Sequence, residues 1–85
     1  PIPVAGNPRP YYPLLARKRG IEGRVVVNVL ISAQGTVKTI GVGQSSGSRL
    51  LDKAAVQAVK KWRFQPVLHN GKAIPSSETV PIVFN

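Results

Sequence analysis

Residues 23–32 alternate in character. Val25, Val27, Val29 and Ile31 fall on one side of an extended chain, and Arg24, Val26, Asn28 and Leu30 on the other. A strand with one apolar face and one mixed face belongs in the middle of a sheet. Ala33-Gln34-Gly35 then turns the chain, with Gly35 supplying a positive φ. Residues 36–44 run back as a second strand. Val37 is out of phase with Ile40 and Val42, which places a bulge near Lys38-Thr39.

After Ser45-Ser46-Gly47 the period becomes helical. Leu51, Ala54, Ala55, Ala58, Val59 and Trp62 recur at steps of three and four residues and make a single stripe. Ser48 is the expected N-cap, with Asp52 in the first turn and Lys60 and Lys61 in the last, all favourable to the helix dipole. Pro66 blocks continuation. A shorter helix is expected within residues 12–21. Pro13 suits its first position, Gly20 its left-handed C′ position, and Ile21 the fold-back of a Schellman motif. So short a helix does not hold alone in water, so Leu14 and Leu15 are expected to dock on a core. Asn70-Gly71 suits a tight turn folding Val67-Leu68 against Ala73-Ile74. In the closing strand, Val80, Ile82 and Phe84 share the core face, while Thr79, Pro81 and Val83 lie on the other.

The order is helix, strand, strand, helix, strand. It predicts an α+β fold: a three-stranded antiparallel or mixed sheet in the order 2-1-3, with two helices packed on one face. Eighty-five residues make one domain. Pro1, Pro3, Pro8, Pro10 and Pro13 crowd the start. Residues 1–10 therefore read as the end of an extended Pro-rich linker, and residues 11–85 as the domain. With no initial methionine, the expectation is a piece of a longer protein whose anchor or targeting segment lies upstream.

Pro81 sharpens the picture of the closing strand. It has no N–H, so its backbone is expected to point away from the central strand. Val80 and Ile82 then bond inward, and Thr79, Pro81 and Val83 offer backbone groups outward. One reading is an edge merely blunted against aggregation. The other is a docking edge that accepts a foreign strand in a restricted register, in a weak and reversible complex.

Twelve Lys/Arg against three Asp/Glu give a net charge of +9. The cations are spread along the chain; only Arg17-Lys18-Arg19 and Lys60-Lys61-Arg63 cluster, both near helix ends. Dispersion favours a diffuse basic surface near anionic material, such as a membrane or the peptidoglycan wall, over a nucleic-acid site, which needs a concentrated face. With no cysteine, disulfides and thiolate metal sites are excluded.

Nothing in the chain reads as catalytic. Glu22, Asp52 and Glu78 lie on separate elements and form no evident carboxylate pair. His69 stands beside a turn without a second metal-ligand type. The serines have no base at a recognisable spacing, and the glycines match no phosphate loop. Trp62 ends the apolar stripe, so core packing is its expected role.

Several segments carry a resemblance when taken in order. They are Tyr12-Pro13, Ile21-Glu22-Gly23, Gly35-Thr36-Val37, Ser45-Ser46-Gly47, Leu51-Asp52-Lys53-Ala54-Ala55, Trp62-Arg63-Phe64-Gln65-Pro66 and Val80-Pro81-Ile82-Val83-Phe84. With them, residues 10–85 resemble the TonB C-terminal domain family. The resemblance implies a periplasmic domain of an inner-membrane-anchored protein, with no enzymatic activity and no cofactor. Its partners would be the box peptide and plug of TonB-dependent outer-membrane transporters, as in iron or haem uptake. Coupling to the ExbB–ExbD proton-driven motor would run through the part upstream. In the family the box peptide adds as a strand to the last strand. Here that implies Thr79, Val80, Pro81, Ile82, Val83 and Phe84, with Arg9 as a further contact ahead of the Tyr-Pro pair. Receptor-dedicated paralogues share the Ser-Ser-Gly and Leu-Asp-Lys-Ala pattern, so the transporter served stays open. A TolA-like envelope interaction domain is an alternative of similar fold. A free edge also admits a homodimer.

Overall fold

The computed structural model describes residues 2–85; Pro1 lies outside them. In chain order the elements are α1 (Leu14–Lys18), β1 (Gly23–Ile31), β2 (Val37–Gln44), α2 (Arg49–Val59), β3 (Val67–His69), β4 (Lys72–Ile74) and β5 (Ser76–Phe84). The main sheet has the order β2-β1-β5 and is antiparallel throughout. This is the expected arrangement, with the first strand central and the last beside it.

Alternation along β1 sets the layers. Val25, Val27, Val29 and Ile31 are buried, as are Val80, Ile82 and Phe84 of β5. Against this face packs α2, through Leu51, Ala55 and Val59. Ala55, fully buried on the stripe between Leu51 and Val59, puts little bulk between helix and strands, so the axis can lie close to the sheet.

The hairpin turn joins β1 to β2. Gly35 has φ +87°, its N–H donates to Ser32 O (3.0 Å), and Ser32 N–H donates to Thr36 O (2.8 Å). This is a three-residue connection ending in a left-handed glycine. Leu30 stands opposite Thr39 and Ile31 opposite Val37, so Lys38 is the extra residue of the expected bulge. A second irregularity was not legible: Val26 faces Gln44 and Val27 faces Val42, which leaves Gly43 over. At the other turn, Asn70 (φ 52°) and Gly71 (φ 78°) close the small β3–β4 hairpin. Positive φ at both central residues is the type I′ geometry that Asn-Gly favours.

Helix α1 ends as a Schellman motif. Ile21 N–H donates to Ala16 O (2.9 Å) and Gly20 N–H to Arg17 O (3.1 Å), with Gly20 at φ +66°. Its docking differs from the expectation. Leu14 and Leu15 are 58% and 46% exposed, and Ala16 alone is buried. The helix is shorter than residues 12–21, because Pro13 is its N-cap in an extended conformation rather than its first helical residue. Flanking side chains anchor it instead. Tyr12 donates its hydroxyl to Ile21 O and meets the Phe84 ring edge-on at 5.4 Å.

The start of α2 also departs from the simple cap. Ser48 is the N-cap but its side chain caps nothing. The clasp is Asp52. Its carboxylate accepts from the Ser45 hydroxyl, from Ser46 N–H (2.9 Å) and from the Ser46 hydroxyl (2.7 Å). The end of β2 is thus tied to the first turns of α2. Lys60 is the C-cap and Lys61 lies beyond the helix, so neither sits in its last turn.

Partial burial alone would push the Asp52 carboxyl up; the hydrogen bonds from Ser45 and Ser46 outweigh it and hold it below the usual carboxylate range. A lowered folded value means the clasp stabilises above the unfolded value of about 3.9 and is lost as pH falls through the lower folded one. Asp52→Ala should cost about 1–3 kcal/mol at neutral pH, the usual loss when hydrogen bonds to a charged acceptor are removed. Thermal melts between pH 6 and 2 check this. The difference between wild type and variant should shrink as pH falls through that window, and a constant gap would refute the clasp.

Candidate functional site

The edges of the sheet differ in quality. The β2 edge carries the irregularities at Lys38 and Gly43. The β5 strand pairs with β1 one residue to one from Gly23↔Phe84 to Ile31↔Ser76, without a shift. A bulged edge is twisted away from further pairing, whereas a straight one is a template for it. Among the described residues, no strand pairs with β5 on its other side.

Pro81 sets which backbone groups face that side. It stands opposite Val26. Lacking an N–H, it belongs to a pair that exchanges no hydrogen bonds, and pairs alternate along an antiparallel ladder. Val80 (opposite Val27) and Ile82 (opposite Val25) therefore bond inward. Ser77, Thr79, Pro81 and Val83 turn their backbone groups outward. An independent contact agrees: Thr79 N–H donates to its neighbour's side chain, Glu78 Oε1, at 3.2 Å. That donor is turned from β1. A strand adding here would replace the Glu78 carboxylate with a backbone carbonyl.

Side chains follow the same alternation. Val80, Ile82 and Phe84 are buried and hold β5 to the core. Thr79, Pro81 and Val83 are exposed, and Val83 retains 60% of its surface. The six strand residues thus divide into three that fasten the edge and three that stay accessible. Phe84 also fixes the near end of the lead-in, through Tyr12.

Arg9 is not on this edge. It lines a groove of about 650 Å³ between α1 and α2, together with Arg19, Arg49, Lys53 and Lys61. Cations dispersed in the sequence thus converge in space, which the charge pattern along the chain does not show. Among the described residues, no three His, Cys, Asp or Glu side chains group as a metal site.

Residues 2–8 form a strap that sequence reasoning took only for an extended lead-in. Val4 N–H donates to Arg63 O (3.0 Å) and Gln65 N–H to Ile2 O (2.8 Å), with Pro3 bridged to Phe64. Asn7 makes a paired contact with the Arg63 backbone, donating at 2.9 Å and accepting at 2.8 Å. Trp62 is half-buried against the core as expected, but its indole N–H also reaches Pro8 O (2.6 Å). No local signal foretells contacts across more than fifty residues of chain. Asn7, with a side chain able to donate to and accept from the backbone of one residue, was the available hint.

The chain resembles known proteins along nearly its whole length. The family model for the Gram-negative bacterial TonB protein C-terminal matches residues 8–85. Protein tonB2 of Pseudomonas aeruginosa is 47% identical over 78 residues, covering 92% of this chain and 29% of that protein. Protein TonB of Vibrio cholerae is 38% identical over 84 residues, covering 99% and 34%. The solution NMR structure of the Pseudomonas aeruginosa TonB C-terminal domain superposes with a TM-score of 0.78 at 40% identity, covering 98% of this chain and 83% of that one. The chain spans about a third of the length of these two curated relatives.

Proposed function

Since the chain belongs to the TonB C-terminal family, we propose that it is the partner-gripping end of an energy-transducing protein. It works in the periplasm, takes the box peptide of an outer-membrane transporter as an added strand along β5, and passes on work from the ExbB–ExbD motor through an inner-membrane-anchored part. It is a transducer and not an enzyme. The observation that carries this reading is the unbroken β5 edge, whose register leaves Thr79, Pro81 and Val83 facing outward. Thr79 and Val83 supply donors there, and Pro81 supplies only a carbonyl. An incoming peptide must align its own acceptors to that gap, which limits its register.

Energetics fit a reversible coupling. About five backbone bonds at roughly 0.5–1.5 kcal/mol net give ~2–8 kcal/mol, from which ordering the peptide must be subtracted. Such a grip forms and releases readily, as a transducer cycling between transporters needs.

Two measurements test the proposal. In an NMR titration with a transporter box peptide, the Thr79 and Val83 amides should shift and gain protection from hydrogen exchange. The Val80 and Ile82 amides, already bonded to β1, should gain little. Changes confined to β2, or none at millimolar peptide, would refute the assigned edge. Mass-spectrometric identification of proteins retained from outer-membrane extract separates the functions: transporter plugs support the proposal, and Tol-system partners support the TolA-like alternative instead.

A further inference from the structure

The groove between α1 and α2 has a distinct chemistry from the β5 edge. Its floor is apolar, built from Leu15, Leu50 and Ala54, and Leu15 is left 46% exposed. Its rim carries Arg9, Arg19, Arg49, Lys53 and Lys61, and no acidic residue lines it. The chain has three acids, and Asp52, the one on α2, is engaged by Ser45 and Ser46. Five cations around one concavity repel each other, and nothing lining the groove offsets this. The strap supplies one wall, since Pro8 and Arg9 line the groove and Trp62 holds Pro8 O.

We propose that this groove is a second docking site, for an acidic peptide segment that sets an apolar side chain between carboxylates. The apolar side chain would cover Leu15, Leu50 and Ala54, while the carboxylates pair with the rim. The size suits a short segment, within the roughly 300–1,000 Å³ of ordinary ligand sites. Charge complementarity selects an anion, and the shape selects among anions. A flat anionic bilayer reaches the rim cations but not the concave floor. A phosphate or glycan polymer neutralises the rim and leaves Leu15 and Leu50 uncovered. An acidic peptide with an apolar anchor satisfies both. The site stands apart from the β5 edge, so each can fail without the other.

The probe is a short blocked peptide with two leucines flanked on both sides by glutamates. Its glutamine counterpart, phosphatidylglycerol vesicles and a short DNA duplex serve as comparisons. NMR titration of the chain should show saturable shifts at the Leu15, Leu50 and Ala54 methyls and the Gln57 amide. The glutamine peptide should bind at least about tenfold more weakly. The Lys53→Glu/Lys61→Glu double variant should weaken the acidic peptide by about tenfold or more, and Leu15→Ser by severalfold. These side chains are exposed, so the fold should persist, and the wild-type footprint decides the matter without the variants. Equal binding of the two peptides would overturn the proposal. So would a footprint on Thr79 and Val83 instead of the groove, or groove shifts produced by vesicles or DNA but not by the acidic peptide.

Discussion

Replacing Gly35 with alanine is expected to destabilise the domain by about 2–5 kcal/mol, a large share of the 5–15 kcal/mol typical of folded domains. Two costs combine. Gly35 sits at φ +87°, a conformation that costs a residue with a Cβ about 1–2 kcal/mol. The added Cβ would also stand 2.1 Å from Phe64 O, far inside van der Waals contact. Relief requires separating the turn from residues 63–64. Phe64 N–H donates to Gly35 O (2.8 Å) and Thr36 is bridged to Arg63, so separation breaks both. It also loosens Phe64, which is 2% exposed and among the largest core side chains. Overpacking of this kind costs roughly 1–3 kcal/mol.

Gly71→Ala is the matched control. Its φ of 78° imposes similar strain, but a Cβ there meets nothing within 4 Å. It should cost only about 1–2 kcal/mol. Denaturant midpoints of both variants check the difference, and amide exchange at Phe64 locates it. Equal losses would mean that conformation alone matters at Gly35, and that the close approach to Phe64 can relax.

That contact marks where the sequence stops being informative. The local turn was legible, because Ala33-Gln34-Gly35 needs only its own φ angles. The placement of Phe64 against it was not, since the two are joined by tertiary packing. The same division recurs elsewhere. Gly20-Ile21 announced the end of α1, and the motif formed with both expected bonds. Which side of α1 faces inward depended on Tyr12 and Phe84, from opposite ends of the chain, so Leu14 and Leu15 were misplaced. Val37, out of phase, betrayed the bulge at Lys38. Gly43 gave no such sign, because a glycine has no side chain to fall out of phase.

The candidate site divides in the same way. The inward set on β5 follows from alternation, and the outward set from one proline. The strand is longer than its apolar pattern, because Ser76, Ser77 and Glu78 pair with Ile31, Leu30 and Val29 of a strand strong enough to carry them. The contrast between a straight β5 edge and a bulged β2 edge needed the register. The basic groove needed the tertiary fold, for Arg9, Arg19 and Lys61 share no element.

Val83→Pro tests the outward set most severely. Its N–H points from β1, so the substitution removes a donor that the fold does not use. Pro81, two residues earlier, shows that the strand accepts a ring facing this way. Fold stability should therefore change by no more than about 1 kcal/mol. Binding should suffer much more. The incoming strand loses a bond of roughly 0.5–1.5 kcal/mol and meets a ring where its own carbonyl would approach. A loss of 1.4 kcal/mol is already tenfold in affinity, and steric exclusion of the peptide adds to it. Ile82→Pro is the opposite case. It removes an inward donor opposite Val25 together with a side chain only 8% exposed, and should unfold the domain. Calorimetric titration with a transporter box peptide, beside thermal melts of both variants, reads the two effects separately. The assigned edge holds if Val83→Pro melts near wild type and binds at least about tenfold more weakly, and it fails if that variant unfolds or binds as before.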